Sequence, residues 1–573
     1  MTSDKSLEIT NPQSIADNLN KHFVNKGPKL ASKLPVSNTS VLEGMGVPNP
    51  SSMEFHEIST NEIVNIVNQF ENKKSSGHDN IPSILIKWII DFIAPILSSI
   101  FNDCVEKGIY PNCLKIAKVT PLFKSGDVCS PDNYRPISVL PQVDKIFEKL
   151  IHKRMVEFEA KHKFLNNCQF GFRKGHSTSH GITHVHEQVI QSLEKKKVCA
   201  LLFIDLKAAF DTVNVEILLT KLQHYGYRGK ILKLLTSYLH DRKQFVFSDS
   251  ISSCLLDVLC GVPQGSVLGP LLFIIYINDI SNSSDADNSL FADDAALLVA
   301  DSNVKKLKKK VHKEINSLHK WLIRNKLTLN LSKTKYMLFA NKNKLTDKSR
   351  KKFQITIAKY TIHEVDYFKY LGVLIDRNLN WNHHAEYLLT KLSSAAGAMF
   401  KTRKYLSTKT LKLIYHSLAG SYLQYGISAW SNCSSTMLNK LQSMQNKIIR
   451  CMTFSQPHSN IDTHYTRLKI LKISELKFYE TAKFMHSVYN NRMPLAFQDY
   501  FQEIDHTYET RTRTNIGYYL PFPRTERGKK SLRYTAVHIW ADIPHSFRDY
   551  PVKLFKTSLK NYILCNAANI RLI

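Results

Sequence analysis

Residues 198–205 read Val-Cys-Ala-Leu-Leu-Phe-Ile-Asp, an unbroken apolar run that ends in a carboxylate. A run of this length without polar alternation predicts a strand that is buried on both faces. Residues 290–297 read Leu-Phe-Ala-Asp-Asp-Ala-Ala-Leu, which predicts a short hairpin centred on Asp293 and Asp294. Both segments therefore place carboxylates at the end of an apolar strand.

A carboxylate at such a position is costly to bury unless a cation compensates it. Mg²⁺ prefers oxygen ligands and keeps waters and substrate phosphates in its remaining positions. Two such ions can stabilise both the attacking and the departing oxygen of an in-line displacement at phosphorus. Simpler interpretations remain open for each motif, because Asp is common in tight turns and Asp205 could cap a following helix. Neither of them explains why both motifs follow apolar strands.

A segment rich in glycine and proline lies between the two motifs. Residues 261–270 read Gly-Val-Pro-Gln-Gly-Ser-Val-Leu-Gly-Pro, and an apolar helix is predicted over 271–280. Glycine permits a close approach of the backbone to a base or a sugar, and the Gln264 amide can both donate and accept. Alone this loop is weak evidence. Its position between the carboxylate motifs makes it a candidate part of the same site.

The charge balance indicates a polyanionic partner. The 573 residues include 78 Lys and Arg against 48 Asp and Glu, a formal net charge of +30. Residues 301–360 hold 18 Lys and Arg and 3 Asp and Glu, which is a net +15. Cationic side chains that neutralise phosphates release condensed counterions, so this excess favours nucleic-acid binding. Within the segment a basic helix is predicted over 303–325; a solvated helix face is the alternative interpretation of its first lysines.

The remaining patterns favour a protein of the nucleus or cytoplasm. Ten Cys residues form no C-x-x-C pair, so no zinc ribbon or knuckle is predicted and reduced thiols are expected. The first ten residues are polar and show no signal peptide. The longest apolar runs, such as Leu271–Ile277, are too short to span a bilayer, so neither secretion nor a membrane partner is expected.

Together these residues resemble the reverse transcriptases of non-LTR retrotransposons, most closely those of the jockey-like elements. Further motifs occur in the order that this family shows. They are Lys74-Ser-Ser-Gly-His-Asp79, Asn133-Tyr-Arg-Pro-Ile-Ser138, Gln169-Phe-Gly-Phe-Arg-Lys-Gly-His-Ser-Thr178, Asn330-x-x-Lys333-Thr334 and Tyr370-Leu-Gly-Val373. The resemblance runs from about residue 10 to about residue 455, and more loosely to the end.

The resemblance implies an α+β fold of the right-hand polymerase type, with fingers, a palm, a helical thumb and a helical C-terminal extension. The domains it predicts are an N-terminal extension at 1–100, fingers and palm at 101–376, a thumb-like helical region at 377–470 and a C-terminal region of unknown role at 471–573. No oligomeric state is predicted.

The function that the resemblance implies is RNA-directed DNA synthesis, in which retrotransposon RNA is copied into cDNA. The partners would be an RNA template, a DNA primer and dNTPs, within a ribonucleoprotein. The cofactor would be two Mg²⁺ ions, with Mn²⁺ as an alternative. The alternative function is that of a catalytically silent or host-adopted nucleic-acid-binding relic. A polymerase that makes RNA is disfavoured because Phe210 corresponds to the aromatic steric gate against ribonucleotides.

The resemblance also implies roles for single residues. The metal ligands and catalytic carboxylates would be Asp205, Asp293 and Asp294, with Lys333 protonating the pyrophosphate leaving group. The nucleotide-binding residues would be Lys124, Arg135, Phe210, Gln264 and Gly265. The primer grip would be formed by Tyr370, Leu371 and Gly372. The nucleic-acid-binding lysines would be Lys305, Lys306, Lys308, Lys309 and Lys310.

Members of this family usually carry an endonuclease domain ahead of the polymerase, and the sequence contains no counterpart of it. A truncated copy that cannot nick DNA is therefore expected. No ribonuclease H constellation of acidic residues is evident in the C-terminal third.

Overall fold

The computed structural model describes residues 11–341, 344–357, 360–456, 459–504 and 517–566. The chain divides into two compact units that interleave along the sequence. Unit 1 comprises Met1–Phe172, Asp205–Asp285 and Glu314–Asn330, and unit 2 comprises Arg173–Ile204, Ala286–Lys313 and Leu331–Ile573. The four predicted domains follow other boundaries and stay a prediction.

The fold mixes helices and strands, as expected. The strands are β1 (Ile116–Phe123), β2 (Tyr134–Val139), β3 (Val198–Ile204), β4 (Lys243–Ser248), β5 (Ile251–Ser252), β6 (Leu256–Asp257), β7 (Asp287–Phe291), β8 (Asp294–Asp301), β9 (Lys335–Phe339), β10 (Ile355–Ile357), β11 (Tyr360–Glu364), β12 (Tyr367–Tyr370) and β13 (Val373–Asp376).

Helices form most of the ordered backbone. They are α1 (Pro12–Ala31), α2 (Thr60–Asn68), α3 (Ser83–Lys107), α4 (Gln142–His162), α5 (Thr178–Glu194), α6 (Val215–Tyr225), α7 (Lys230–Leu239), α8 (Leu268–Tyr276), α9 (Val304–Arg324), α10 (Asp347–Lys351), α11 (Asn382–Thr402), α12 (Thr408–Tyr415), α13 (Ser421–Gln424), α14 (Ile427–Trp430), α15 (Ser435–Thr453), α16 (Asp462–Leu468), α17 (Ile473–Tyr489), α18 (Glu526–Lys529), α19 (Leu532–Ala541), α20 (His545–Arg548) and α21 (Val552–Asn566).

Unit 2 is built on a six-stranded sheet in the order β10-β11-β9-β3-β8-β7. β3 lies inside this sheet, paired antiparallel with β8 and with β9. All seven of its residues are buried, which confirms the predicted doubly buried strand. Its side chains share one hydrophobic cluster with those of α5, β8, β9 and α11, so covering elements replace the polar alternation of a one-sided strand.

Unit 1 contains a smaller sheet in the order β2-β1-β4-β5, with β6 paired to β4. The predicted strand at 114–124 corresponds to β1, which pairs antiparallel with β2 and parallel with β4. Helix α1 packs on this sheet through Ala16, Leu19 and Phe23. The buried Asn20 side chain donates to the carbonyl of Cys254 at 2.8 Å, so the N-terminal helix is hydrogen-bonded to the sheet as well as packed on it.

The capping pattern Ser59-x-x-Glu62 predicts a helix start, and α2 confirms it. The Ser59 hydroxyl accepts the Glu62 backbone N–H at 3.3 Å. The Glu62 carboxylate accepts from Arg154 on α4 at 2.9 Å and from Lys153 at 2.7 Å. Its side chain therefore joins α2 to α4 through an ion pair.

Helix α3 corrects the expectation that every apolar segment is too short to cross a bilayer. Among the described residues it is the one helix that is long and apolar enough for that by length and composition, with a mean hydropathy of 1.9 and 22% of its window buried. Six large apolar residues are exposed along one stripe of it: Leu85, Trp88, Ile89, Phe92, Ile96 and Ile100. The nuclear or cytoplasmic location and the lack of a membrane partner stay predictions.

The chain after α17 forms a further core within unit 2. Apolar side chains of α17, α19 and α21, including Phe478, Trp540 and Phe555, pack into one cluster. The buried Glu187 carboxylate on α5 accepts the Leu532 backbone N–H at 2.7 Å, at the start of α19. The C-terminal helices are thus fixed to the helix that covers β3.

Candidate active site

Asp205 is the first residue after β3. Its backbone carbonyl accepts the Asn330 N–H at 2.8 Å, and its carboxylate Oδ2 accepts the Asn330 side-chain amide at 2.7 Å. The neighbouring residues Leu206 and Leu329 form an isolated antiparallel bridge. Asn330 therefore fixes both the backbone and the rotamer of Asp205, which stays half-buried.

Asp293 and Asp294 lie at the turn of the β7–β8 hairpin, which confirms the predicted hairpin. Phe291 pairs with Asp294, so Ala292 and Asp293 form a two-residue turn. Ala292 adopts φ +55° in this turn, a left-handed conformation that costs an L residue about 1–2 kcal/mol. Asp293 is half-buried and Asp294 is exposed, so both carboxylates remain accessible to solvent.

The register of unit 2 aligns the end of β3 with this turn. Ile204, the residue before Asp205, pairs with Ala295, the residue after Asp294. Among the residues that the structure describes, no group of three or more His, Cys, Asp or Glu side chains forms a preformed metal cage. A set of few, partly exposed carboxylates suits Mg²⁺, which binds through one or two carboxylates and completes its shell with water and phosphate oxygens.

The loop at 261–267 is attached to β2 and to Asp211. The Gln264 carbonyl accepts the Ser138 N–H at 2.8 Å, and the Gln264 amide donates to Asp211 Oδ1 at 2.6 Å. Gly265 has φ +127°, and a Cβ there would lie 2.4 Å from the Ser138 carbonyl oxygen. Only glycine therefore allows this approach to β2 without displacing it.

Glu148 anchors the far end of the same loop. Its carboxylate is fully buried and accepts the Tyr238 hydroxyl and the Val267 backbone N–H, each at 2.5 Å. Val267 precedes α8, so a carboxylate lies where the N-terminal end of the helix carries partial positive charge. Burial raises the pKa of Glu148, while these two hydrogen bonds oppose the rise.

Phe210 is held between other aromatic rings. Its ring stacks on Phe273 of α8 with centroids 4.4 Å apart, and the Phe172 ring meets it edge-on at 6.0 Å. Phe210 is half-buried and Phe172 is 50% exposed. The packing fixes the Phe210 ring while leaving part of it accessible, which is what a steric gate requires.

Lys124 and Arg135 lie on neighbouring strand ends within unit 1. Arg135 pairs with Leu122 in the β1–β2 register, and the Lys124 N–H donates to the Asn133 carbonyl at 2.9 Å. Burial raises the pKa of Asp211, and the positive charges of Lys26, Lys124 and Arg135 oppose this. The two predicted phosphate-binding cations therefore lie within electrostatic reach of the carboxylate that holds Gln264.

The comparison with protein families matches residues 122–375 to the reverse transcriptase (RNA-dependent DNA polymerase) family. Residues 122–375 are a reverse transcriptase domain. The matched range contains both carboxylate motifs, the Gln264 loop and both strands that carry the predicted phosphate-binding residues.

Similar proteins are found among transposon polymerases of flies. The chain is 28% identical over 452 residues to a probable RNA-directed DNA polymerase from transposon X-element of Drosophila melanogaster, covering 76% of this chain and 48% of that protein. It is 27% identical over 462 residues to the RNA-directed DNA polymerase from mobile element jockey of Drosophila funebris, covering 78% and 49%. The chain thus spans about half the length of these relatives.

Two other predicted parts of the reverse transcriptase domain lie on turns of unit 2. Leu371 and Gly372 form the β12–β13 turn with φ +43° and +85°, and the Leu371 carbonyl accepts the Tyr425 hydroxyl at 2.6 Å. The Tyr370 side chain is buried and lies 3.4 Å from the Ser289 hydroxyl. If these residues grip a primer, they do so through Leu371 and Gly372. Lys333 is exposed, just ahead of β9.

The predicted basic helix of the reverse transcriptase domain is α9. Lys305, Lys306 and Lys309 are exposed, and Lys308 and Lys310 are half-buried. The Lys308 ammonium donates to the Lys352 carbonyl at 2.9 Å. Leu307 and Val311 fill the opposite, buried side. The run is thus the solvated face of an amphipathic helix, and this geometry suits phosphate contacts equally well.

A second basic region was missed by the sequence reasoning. Residues 387–461 contain nine Lys and Arg and no Asp or Glu. Within them α11 and α15 border a groove of about 1,020 Å³ that is lined mainly by Ser, Thr, Asn and Lys side chains. The complete absence of acidic residues over so long a stretch is the signal that could have found it.

Glu148, Asp211 and Asn330 were also missed as parts of the site. For Glu148 a weak signal exists, because Asp144 and Glu148 recur with i, i+4 spacing on the buried face of α4. Burial raises the pKa of Asp144 well above its ordinary value, and its carboxyl accepts the Tyr110 hydroxyl at 2.5 Å. Acidic residues on an apolar helix face predict buried hydrogen bonds, although not their partners.

Proposed function

We propose that the chain is an RNA-directed DNA polymerase that copies retrotransposon RNA into cDNA. One observation carries the proposal: β3 ends in Asp205, and its last residue pairs next to the hairpin turn that holds Asp293 and Asp294. The reverse transcriptase domain and the names of the similar proteins support the same activity.

The proposed chemistry joins the primer 3′-oxygen to the α-phosphorus of a dNTP and breaks the bond to the pyrophosphate oxygen. Asp205, Asp293 and Asp294 would hold two Mg²⁺ ions, which lower the energy of the charge that develops on the attacking and departing oxygens. Asn330 keeps the Asp205 carboxylate in one orientation. Lys333 would give a proton to the pyrophosphate.

The nucleotide would be bound by the surfaces that unit 1 brings together. Arg135 and Lys124 would contact the triphosphate, because cationic donors stabilise phosphoryl oxygens. Gln264 and Gly265 would line the base and template side, where Asp211 and Ser138 hold the loop still. Phe210 would lie under the sugar and exclude a 2′-hydroxyl.

The proposed right-hand architecture assigns β1 and β2 to the fingers, the β3 sheet to the palm, and α11 and α15 to the thumb. The groove between α11 and α15 offers hydroxyl, amide and ammonium groups but no carboxylate, which favours contact with a sugar–phosphate backbone. The template–primer duplex would lie against this groove and against the lysines of α9.

The test is primer extension with poly(rA), an oligo(dT) primer, dTTP and Mg²⁺, using the full chain. Labelled primer should lengthen in the parent and not in Asp205→Asn, and EDTA should stop the reaction. Binding of the template–primer without any extension, under Mg²⁺ or Mn²⁺, would contradict the proposal and support the catalytically silent relic instead.

A further inference from the structure

The C-terminal ends of α11 and α15 carry a cluster of aromatic and basic side chains outside the reverse transcriptase domain. The Arg403 guanidinium lies 4.6 Å from the Phe400 ring centroid and 5.1 Å from that of Phe454. Tyr405 follows two residues later. We call Phe400, Arg403, Tyr405 and Phe454 the α11–α15 tip.

The rings of the tip are open to solvent. Tyr405 is 84% exposed, Phe400 is 59% exposed and Phe454 is 58% exposed. Scattered surface aromatics are ordinary, but three around one guanidinium form a flat-faced apolar patch at a helix end. These faces are free to stack on a further planar group.

The backbone at Phe454 is a second, independent observation. Phe454 ends α15 in the left-handed conformation, with φ +55°. Helix ends of this kind favour Gly or Asn, and a bulky residue there is uncommon. Because the Phe454 ring is largely exposed, burial offsets little of this conformational cost. Strained residues of this kind cluster at ligand-binding sites.

The charge around the tip selects the partner. Lys401 and Lys404 are exposed beside it, and residues 387–461 contain no Asp or Glu. Cations at helix C-termini are favoured by the helix dipole, which accounts for part of this charge but for none of the exposed rings. A polyanion that also carries planar apolar groups matches both properties.

The apolar stripe of α3 shows the difference. Its exposed Trp88 and Phe92 lie among aliphatic residues, with Lys87 on a neighbouring, half-buried position. Nothing in the structure shows what covers that stripe. At the tip, by contrast, lysine and arginine alternate with the rings, as in proteins that bind single strands by stacking and phosphate contacts together.

We propose that the α11–α15 tip binds single-stranded nucleic acid by stacking unpaired bases on Tyr405 and Phe454. Arg403, held against Phe400 and Phe454, supports the ring faces and adds positive charge. Lys401 and Lys404 contact the phosphates. The surface is distinct from the α11–α15 groove, which is lined by polar side chains nearer the N-terminal ends of both helices. Every base has a flat face, so little sequence preference is expected.

The test measures the binding of fluorescein-labelled dT20, U20 and a 20-base-pair duplex to the full chain by fluorescence anisotropy. The variant is Tyr405→Ala with Phe454→Asn, and Asn suits the backbone at position 454. We expect affinity for both single strands to fall at least about fivefold, the lower end for loss of base–aromatic stacking. Affinity for the duplex should stay within about twofold. The dependence of log affinity on log salt should keep its slope, because no charge is removed.

Two further variants complete the design. Tyr405→Phe should restore single-strand binding, and Phe92→Ala should leave it unchanged as an exposed-aromatic control. A dT20 that carries 2-aminopurine should be quenched on the parent and not on the double variant. All variants should melt within a few degrees of the parent.

The proposal is overturned if the double variant binds single strands like the parent, or if it loses duplex binding equally. If U20 and dT20 respond differently, the 2′-hydroxyl takes part and stacking alone is contradicted. The inference shares with the proposed function only that the partner is a nucleic acid. Failure of primer extension by the parent would leave this binding test decisive.

Discussion

The end of β3 with the β7–β8 turn differs from the helical region 387–461 in how its charge is distributed. At the turn, Asp293 and Asp294 are short side chains on a hairpin, and the Asp205 carboxylate is oriented by a single amide. In 387–461, nine cations on long side chains spread over several helices with no acidic residue among them. The first arrangement concentrates one task in a few atoms, and the second divides one task among many.

This difference determines how each region should respond to substitution. Removal of one carboxylate at the turn should be all-or-none, because position and charge are both required for metal binding. Removal of one lysine should be graded, because screened surface charges act almost independently. A graded response at the turn, or an abrupt one among the lysines, would break the comparison.

The largest effect is expected from Asp205→Asn or Asp293→Asn. Each keeps the side-chain shape and removes one charge, so metal capture weakens while the fold stays intact. Primer extension should fall by at least about a thousandfold, which corresponds to several kcal/mol of lost charge stabilisation. Template–primer binding in EDTA should be unchanged. Asp287→Asn, an exposed position of the same hairpin, is the matched control, and full activity in either catalytic mutant would refute the metal assignment.

Asn330→Ala should give the next largest effect. The Asn330 amide orients Asp205 Oδ2, and the loss of such an outer contact typically weakens metal binding about 10- to 100-fold. The half-saturating Mg²⁺ concentration in primer extension should rise by about that factor, and Mn²⁺ binding measured by calorimetry should weaken in parallel. Asn282→Ala, which removes an exposed amide elsewhere, should change neither. Lower activity at an unchanged metal requirement would show that Asn330 only supports the fold.

Phe210→Val should come third. The ring is fixed by Phe273 and Phe172, so it can exclude a 2′-hydroxyl by overlap. We expect rNTP incorporation relative to dNTP to rise at least about tenfold, or about 1.4 kcal/mol. Phe210→Tyr, which keeps the ring, should preserve the discrimination. If Phe210→Val lowers the melting temperature without changing sugar selectivity, the ring only packs against α8.

Local patterns in the sequence predicted the elements that depend on neighbours in the chain. β3 and the β7–β8 hairpin were predictable because an unbroken apolar run and an Asp pair between apolar segments are complete signals by themselves. Position and type were correct there because the sheet buries what the pattern marks as apolar.

Features that join distant segments were not predictable in this way. Glu148 and Val267 are separated by 119 positions, and Asn330 and Asp205 by 125. No local period records which backbone N–H a buried carboxylate will meet. Helix α3 escaped for another reason: its apolar residues are interrupted by Lys87, Asp91 and Pro95, so no single run marks the exposed stripe.

The smallest effect per residue is expected from the lysines of α9. Lys305, Lys306 and Lys309 are exposed, and Lys308 and Lys310 are half-buried, on the outer side of a helix whose inner side is packed. Each phosphate contact contributes about −0.7 for a single strand, or −0.9 for a duplex, to the slope of log affinity against log salt. Replacing all five with Ser should therefore flatten the slope for template–primer binding by up to about four, and each single change by less than one. The measurement is fluorescence anisotropy between 50 and 300 mM salt (about the range in which the slope is linear). Lys107→Ser, Lys230→Ser and Lys529→Ser together are the control, because each of these exposed lysines is already paired with a carboxylate. An unchanged slope in the fivefold variant would mean that the α9 run is only a solvated face, and that the cations of 387–461 supply the phosphate contacts instead.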